Sequence, residues 1–84
     1  VSFFTVNEEE CRAWTLHAGQ TALDAAATVH TDFARHFIRA EVIDWKDLLR
    51  AGSLAAARER GQLRLEGKDY QVHDGQVIYI RHSA

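Results

Sequence analysis

The chain has 84 residues, with ten Lys plus Arg against twelve Asp plus Glu; its formal charge of -2 excludes the broad positive field that holds nucleic acid regardless of sequence. The single Cys11 excludes an internal disulfide, and no apolar run approaches the roughly 20 residues that cross a bilayer, so no membrane contact is expected. With no proline and no Gly- or Ser-rich stretch to divide it, residues 1–84 are expected to form one domain. No basic-then-apolar leader opens the chain, which points to a cytoplasmic protein. The absence of methionine is consistent with a boundary inside a larger protein or with a removed initiator.

Ser2-Phe3-Phe4-Thr5-Val6 is aromatic and β-branched, and after Asn7-Glu8-Glu9-Glu10 the segment from Cys11 to His17 reads as its hairpin partner. Gly19-Gln20 ends that run. Thr21 is placed to cap a helix with Asp24 three residues on, and Ala22, Ala26, Val29 and Phe33 would share one face if the helix or its last turn extends that far. In the next strand Ile38, Ala40 and Val42 alternate with Arg39 and Glu41, which predicts one apolar face and one wet face. Trp45 to Arg50 reads as a short helix ended by Gly52, and Ser53 caps a second that Gly61 stops. Leu63 to Glu66 is a strand, Gly67-Lys68-Asp69 a turn, and Tyr70 to Val72 is expected to meet Val77 to Ile80 across Asp74-Gly75 as a closing meander. This order is that of an α+β fold, a β-grasp (ubiquitin-like) mixed sheet covered on one face by a main helix and decorated by short extra ones.

No residue pattern predicts catalysis, and no cofactor or metal site is expected. Gly67-Lys68 fails as a phosphate loop, because Gln62 stands where the first glycine is needed and Asp69 where a hydroxyl is needed. The five histidines, His17, His30, His36, His73 and His82, show no spacing that aims two of them at one ion, and Cys11 reads as a small buried hydrophobe with no adjacent base. His30 and Asp32 follow the main helix, where they could form an acid–base couple or, as favoured here, satisfy loose backbone groups at a helix end. Phe33 and Phe37 read as packing residues rather than as a platform for bases. Arg35, Arg39, Lys68 and Arg81 are the candidate surface for RNA phosphates or an acidic partner; the plain alternative is a solvated face on which Arg39 pairs with Glu41.

Four segments occur together in one order: Arg12-Ala13-Trp14-Thr15, His30-Thr31-Asp32-Phe33, Phe37-Ile38-Arg39-Ala40-Glu41-Val42 and Glu66-Gly67-Lys68-Asp69-Tyr70. From about Ser2 to Arg81 the chain resembles the C-terminal TGS domain of the YchF family of Obg-related ATPases. The resemblance implies a longer parent in which a P-loop domain hydrolyses ATP or GTP with Mg, a coiled-coil insertion follows, and the whole associates with the ribosome. This segment would then be an accessory binding domain, contacting the parent ATPase domain in cis and RNA or the ribosome in trans. Two alternatives remain open: a structural protein–protein docking module, and a small-ligand sensor by analogy with other TGS domains, which is a fold-level argument. The chain departs from the family pattern at Ala34 and Gln76, where acidic residues are usual, at His36, where glycine is usual, and in the tail Arg81-His82-Ser83-Ala84, which replaces a Phe-rich one. No family role carries over to those places.

Overall fold

The computed structural model describes residues 1–6 and 11–83. The expected hairpin is formed by β1 (Ser2–Val6) and β2 (Cys11–Thr15), antiparallel from Ser2–Thr15 to Val6–Cys11. Helix α1 (Ala22–Val29) opens on the predicted cap, where the Thr21 hydroxyl accepts from the Asp24 amide at 3.3 Å and the Asp24 carboxylate accepts from the Thr21 amide at 2.9 Å. His30, in extended backbone, then separates α1 from a short α2 (Thr31–Arg35). Phe33 therefore belongs to a second helix, and the apolar stripe predicted through it stops at Val29.

Strand β3 (Phe37–Asp44) leads into α3 (Trp45–Ala51) and α4 (Leu54–Glu59), then β4 (Arg64–Glu66) and β5 (Gln76–His82). Gly52 ends α3 with φ +93, the left-handed conformation for which glycine was expected, and the Ser53 hydroxyl caps α4. The sheet order is β2-β1-β5-β3-β4, with β5 parallel to β1 and antiparallel to β3. This is the β-grasp arrangement read from the element order.

The closing meander is not formed. Both edges of β5 are occupied, by β1 and β3, so Tyr70 to Val72 has no strand edge there to join. Its backbone instead ties to the start of α1: the Ala22 amide donates to the Tyr70 carbonyl at 2.8 Å and the Val72 amide to the Gln20 carbonyl at 3.0 Å. Asp74 and Gly75 still turn the chain, but they bind β1, the Asp74 carboxylate accepting from the Ser2 amide and the Gly75 amide donating to the Ser2 carbonyl.

Both faces of the sheet are covered. Phe3, Ala40, Val42 and Ile78 pack beneath Ala22 and Ala25 of α1. On the other face Ile43 and Val77 are buried with Ala51 and Ala57 of the short helices. The prediction of a wet face on β3 is thereby corrected, since Glu41, on the side of Ile43, is only 6% exposed. The predicted core position Ile38 is 55% exposed, because a register irregularity between Phe37 and Arg39 turns it outward while Phe37 packs against the core. Cys11, expected to be buried, is exposed on edge strand β2.

Candidate nucleic-acid or partner interface

One end of the sheet gathers most of the residues singled out from the sequence. There the C-terminal end of α1, all of α2, the start of β3 and the end of β5 converge. The His30 ring caps α2, its Nδ1 accepting from the Asp32 amide at 3.0 Å, while the Asp32 carboxylate stands 3.8 Å from the same nitrogen. A nitrogen whose lone pair accepts from an amide carries no proton to share with Asp32, so the pair lacks the arrangement of an acid–base couple.

Phe33 stacks on His82, ring centroids 4.3 Å apart and planes inclined by 24°, and lies 5.6 Å from the His30 ring. Phe37 is opposite His82 in the β3–β5 register and packs against the core. The Ser83 amide donates to the His36 carbonyl at 2.9 Å, which closes the chain end over α2. His36 sits at φ -114, so its imidazole causes no backbone strain. Together His30, Asp32, Phe33, His36, His82 and Ser83 line an open depression of about 290 Å³.

Of the four candidate basic residues, three stand at this end. Arg35 closes α2, and Arg39 and Arg81 face each other across β3 and β5. Arg35 and Arg39 are exposed. Lys68 is elsewhere: its carbonyl accepts from the Leu23 amide in the first turn of α1, at the other end of that helix from His30. Arg81 is partly committed, its Nε donating to Glu41 Oε1 at 3.1 Å while its guanidinium lies 5.1 Å from the Tyr79 ring centre.

Glu41 is the electrostatic hub of the lower face, and its partners differ from the Arg39 of the solvated-face alternative. It pairs with Arg58 of α4, whose Nε and Nη2 donate to its two oxygens at 3.3 and 3.0 Å, and with Arg81, rather than with Arg39. The Arg58 hydrogen bonds hold the Glu41 carboxyl below its ordinary range, against the opposing effect of burial, and Arg81 adds to the lowering. Arg58 lies 17 residues away, so local spacing could not reveal it; the shared parity of Glu41 and Ile43 could have shown that this face is covered.

Tyr70 is tied into the fold. Its hydroxyl accepts from Arg64 at 3.0 Å and from the buried Gln76 amide at 2.7 Å. Gly67-Lys68-Asp69 closes a turn in which the Tyr70 amide donates to the Gly67 carbonyl, with no helix following to aim amides at a phosphate. Among the described residues no group of three or more His, Cys, Asp or Glu is placed to hold a metal ion, and no helix is long and apolar enough to cross a membrane.

Residues 1–83 match the family model YchF-GTPase_C, described as "Protein of unknown function (DUF933)". The chain is 50% identical over 80 residues to the ribosome-binding ATPase YchF of Bacillus subtilis, a match covering 95% of this chain and 22% of that protein. It is 43% identical over 79 residues to Obg-like ATPase 1 of Gallus gallus, covering 94% of this chain and 20% of that one. The solved structure of the Schizosaccharomyces pombe YchF GTPase superposes with a TM-score of 0.86 at 32% identity, over 96% of this chain and 21% of that chain. The chain thus spans about a fifth of the length of these relatives.

Proposed function

The chain belongs to the YchF-GTPase_C family, and from that premise we propose that it is the accessory binding domain of a ribosome-associated, nucleotide-hydrolysing protein and performs no bond-breaking itself. The observation that carries this reading is the cluster of Arg35, Arg39 and Arg81 at one end of the sheet, on a chain whose formal net charge is -2. A local basic patch suits phosphate or acidic-surface contact at one place rather than general attraction along a polymer. ATP or GTP and Mg belong, in this reading, to a P-loop domain of the parent. The ribosome-binding and ATPase descriptions of the relatives support that assignment.

A second surface suits the contact with the parent domain in cis. Leu49 is 70% exposed and, with Val6, Leu48, Leu54 and Tyr79, lines an apolar groove between the short helices and the sheet. Such a patch is what a docked neighbouring domain would cover. The purely structural alternative keeps this groove and gives the arginines no partner.

Double charge reversal, Arg35→Glu with Arg39→Glu, separates the readings. Cosedimentation of the full-length protein with ribosomes is expected to fall at least tenfold, while the apolar groove is untouched. Normal cosedimentation of the variant would leave the docking-module reading standing.

A further inference from the structure

From the stacked Phe33–His82 pair at the junction of two depressions, we infer that this end of the sheet is a subsite for an unstacked nucleobase of single-stranded RNA; this rests on the proposed ribosome contact and names its ligand. His82 is exposed and borders both hollows. One is the depression floored by α2. The other opens where β1 and β5 part: their pairing is confined to Phe3–Gln76 and Phe4–Val77, and beyond it Thr5 and Val6 stand across a cleft of about 370 Å³ from Ile78 to Ile80.

The side chains around that cleft are of the kind that hold bases. Arg12 lies over the Trp14 ring at 4.9 Å and Arg81 over the Tyr79 ring at 5.1 Å, so two rings are already partnered by guanidinium groups. Phe33 keeps the packing role expected of it by backing His82, whose exposed imidazole is the ring face on offer, and Trp14 lines the cleft beside them. Aromatic platforms with interleaved arginines bind single strands through base faces and phosphates together, whereas a duplex keeps its bases stacked and inaccessible.

The ring polarity adds an edge to the platform. His82 Nδ1 lies 3.2 Å from the Ser83 carbonyl, and the tautomer that donates to that oxygen keeps Nε2 as an acceptor in the neutral ring. His30 is the reverse, since its Nδ1 accepts from the Asp32 amide and its Nε2 carries the hydrogen. Both rings line one hollow, and in these tautomers one can donate and the other accept, a pairing that suits the mixed edge of a base.

The test is fluorescence anisotropy of the 84-residue chain with labelled ten-nucleotide oligo-U and oligo-A single strands and with their duplex, at low salt. The single strands are expected to bind more tightly than the duplex. His82→Ala should weaken single-strand binding by about 5-fold or more, the loss that corresponds to one stacked base, while His82→Phe retains it. Equal binding of duplex and single strand, or an alanine variant that binds as wild type does, overturns the inference. Where the alanine variant melts early, ultraviolet crosslinking of 4-thiouridine oligo-U to the wild-type chain decides: adducts on Trp14, residues 30–36 or His82 support the subsite, and adducts confined elsewhere refute it. A chain that cosediments with ribosomes yet ignores single strands meets protein or duplex RNA instead, which sinks this inference and leaves the ribosome reading intact; loss of cosedimentation as well removes both.

Discussion

Gly75 shows how one missing side chain can hold two elements in place. Its backbone has φ +81, its carbonyl accepts from the Trp45 amide at 3.0 Å, and its amide donates to the Ser2 carbonyl at 2.8 Å, so it joins β1, α3 and the entry to β5. A methyl group built there would lie 3.0 Å from Trp45 Cδ1 and 3.3 Å from Nε1. Gly75→Ala therefore combines left-handed strain with a ring that must move, at a combined cost of about 1–3 kcal/mol. In a domain of this size that is a fall of roughly 5–20 °C in the melting midpoint, readable by circular dichroism. Gly67→Ala is the control, since nothing lies within 4 Å of its Cβ position and its φ is not positive. Equal melting of the two variants would show that Trp45 does not constrain the turn.

At the scale of elements, the attachment of α4 to the sheet is electrostatic as well as apolar. Ala57 is buried against the lower face, but the cross-link between α4, β3 and β5 is Glu41 held by Arg58 and Arg81. The folded pKa of Glu41 lies below its ordinary 4.5, so near that pH the unfolded chain binds more protons than the folded one. Its contribution is complete above about 4.5 and drains away as the pH falls through the lowered folded value. Glu41→Gln should consequently lower the urea midpoint at pH 7, and the gap between variant and wild type should narrow below pH 4.5. A gap that stays constant from pH 7 to pH 3 would mean that the carboxylate charge is irrelevant to the attachment.

The same elements show what was legible beforehand. Local chemistry was readable: Thr21 with Asp24, Gly52 and Ser53 each carry their signal within four residues, and each acts as anticipated. Alternation on β3 was also visible, but the irregularity beside Phe37 that exposes Ile38 comes from the pairing with β5, about 40 residues away, and leaves no local mark. The meander failed for a similar reason, because the edge that Tyr70 to Val72 was expected to join is filled by β1, the most distant strand in sequence. For the candidate surface, residue type put Arg35 and Arg39 forward and the fold leaves both exposed, whereas the commitment of Arg81 to Glu41 and the remoteness of Lys68 required the fold.

The whole molecule separates its two candidate surfaces by chemistry. The end bearing Arg35, Arg39 and His82 is polar and aromatic, and the groove at Leu49 is apolar, so salt should weaken contacts at the first and leave the second largely unaffected. Arg35 and Arg39 are exposed at the polar end and Arg12 at the adjoining cleft, which makes two to three arginines available, with Arg81 already sharing its charge. If they meet a single strand, the logarithm of the affinity should fall with the logarithm of salt at a slope of roughly -1.4 to -2.1. Between 50 and 200 mM salt that is a loss of about 7- to 18-fold, measurable with the same labelled oligonucleotides. Arg35→Glu with Arg39→Glu should flatten the slope to about -0.7 or less, because Arg12 at the cleft is then the one basic side chain near that end not held by Glu41. A slope several times steeper would require phosphate contacts across a far larger area, which a chain of net charge -2 with so few arginines at that end does not offer.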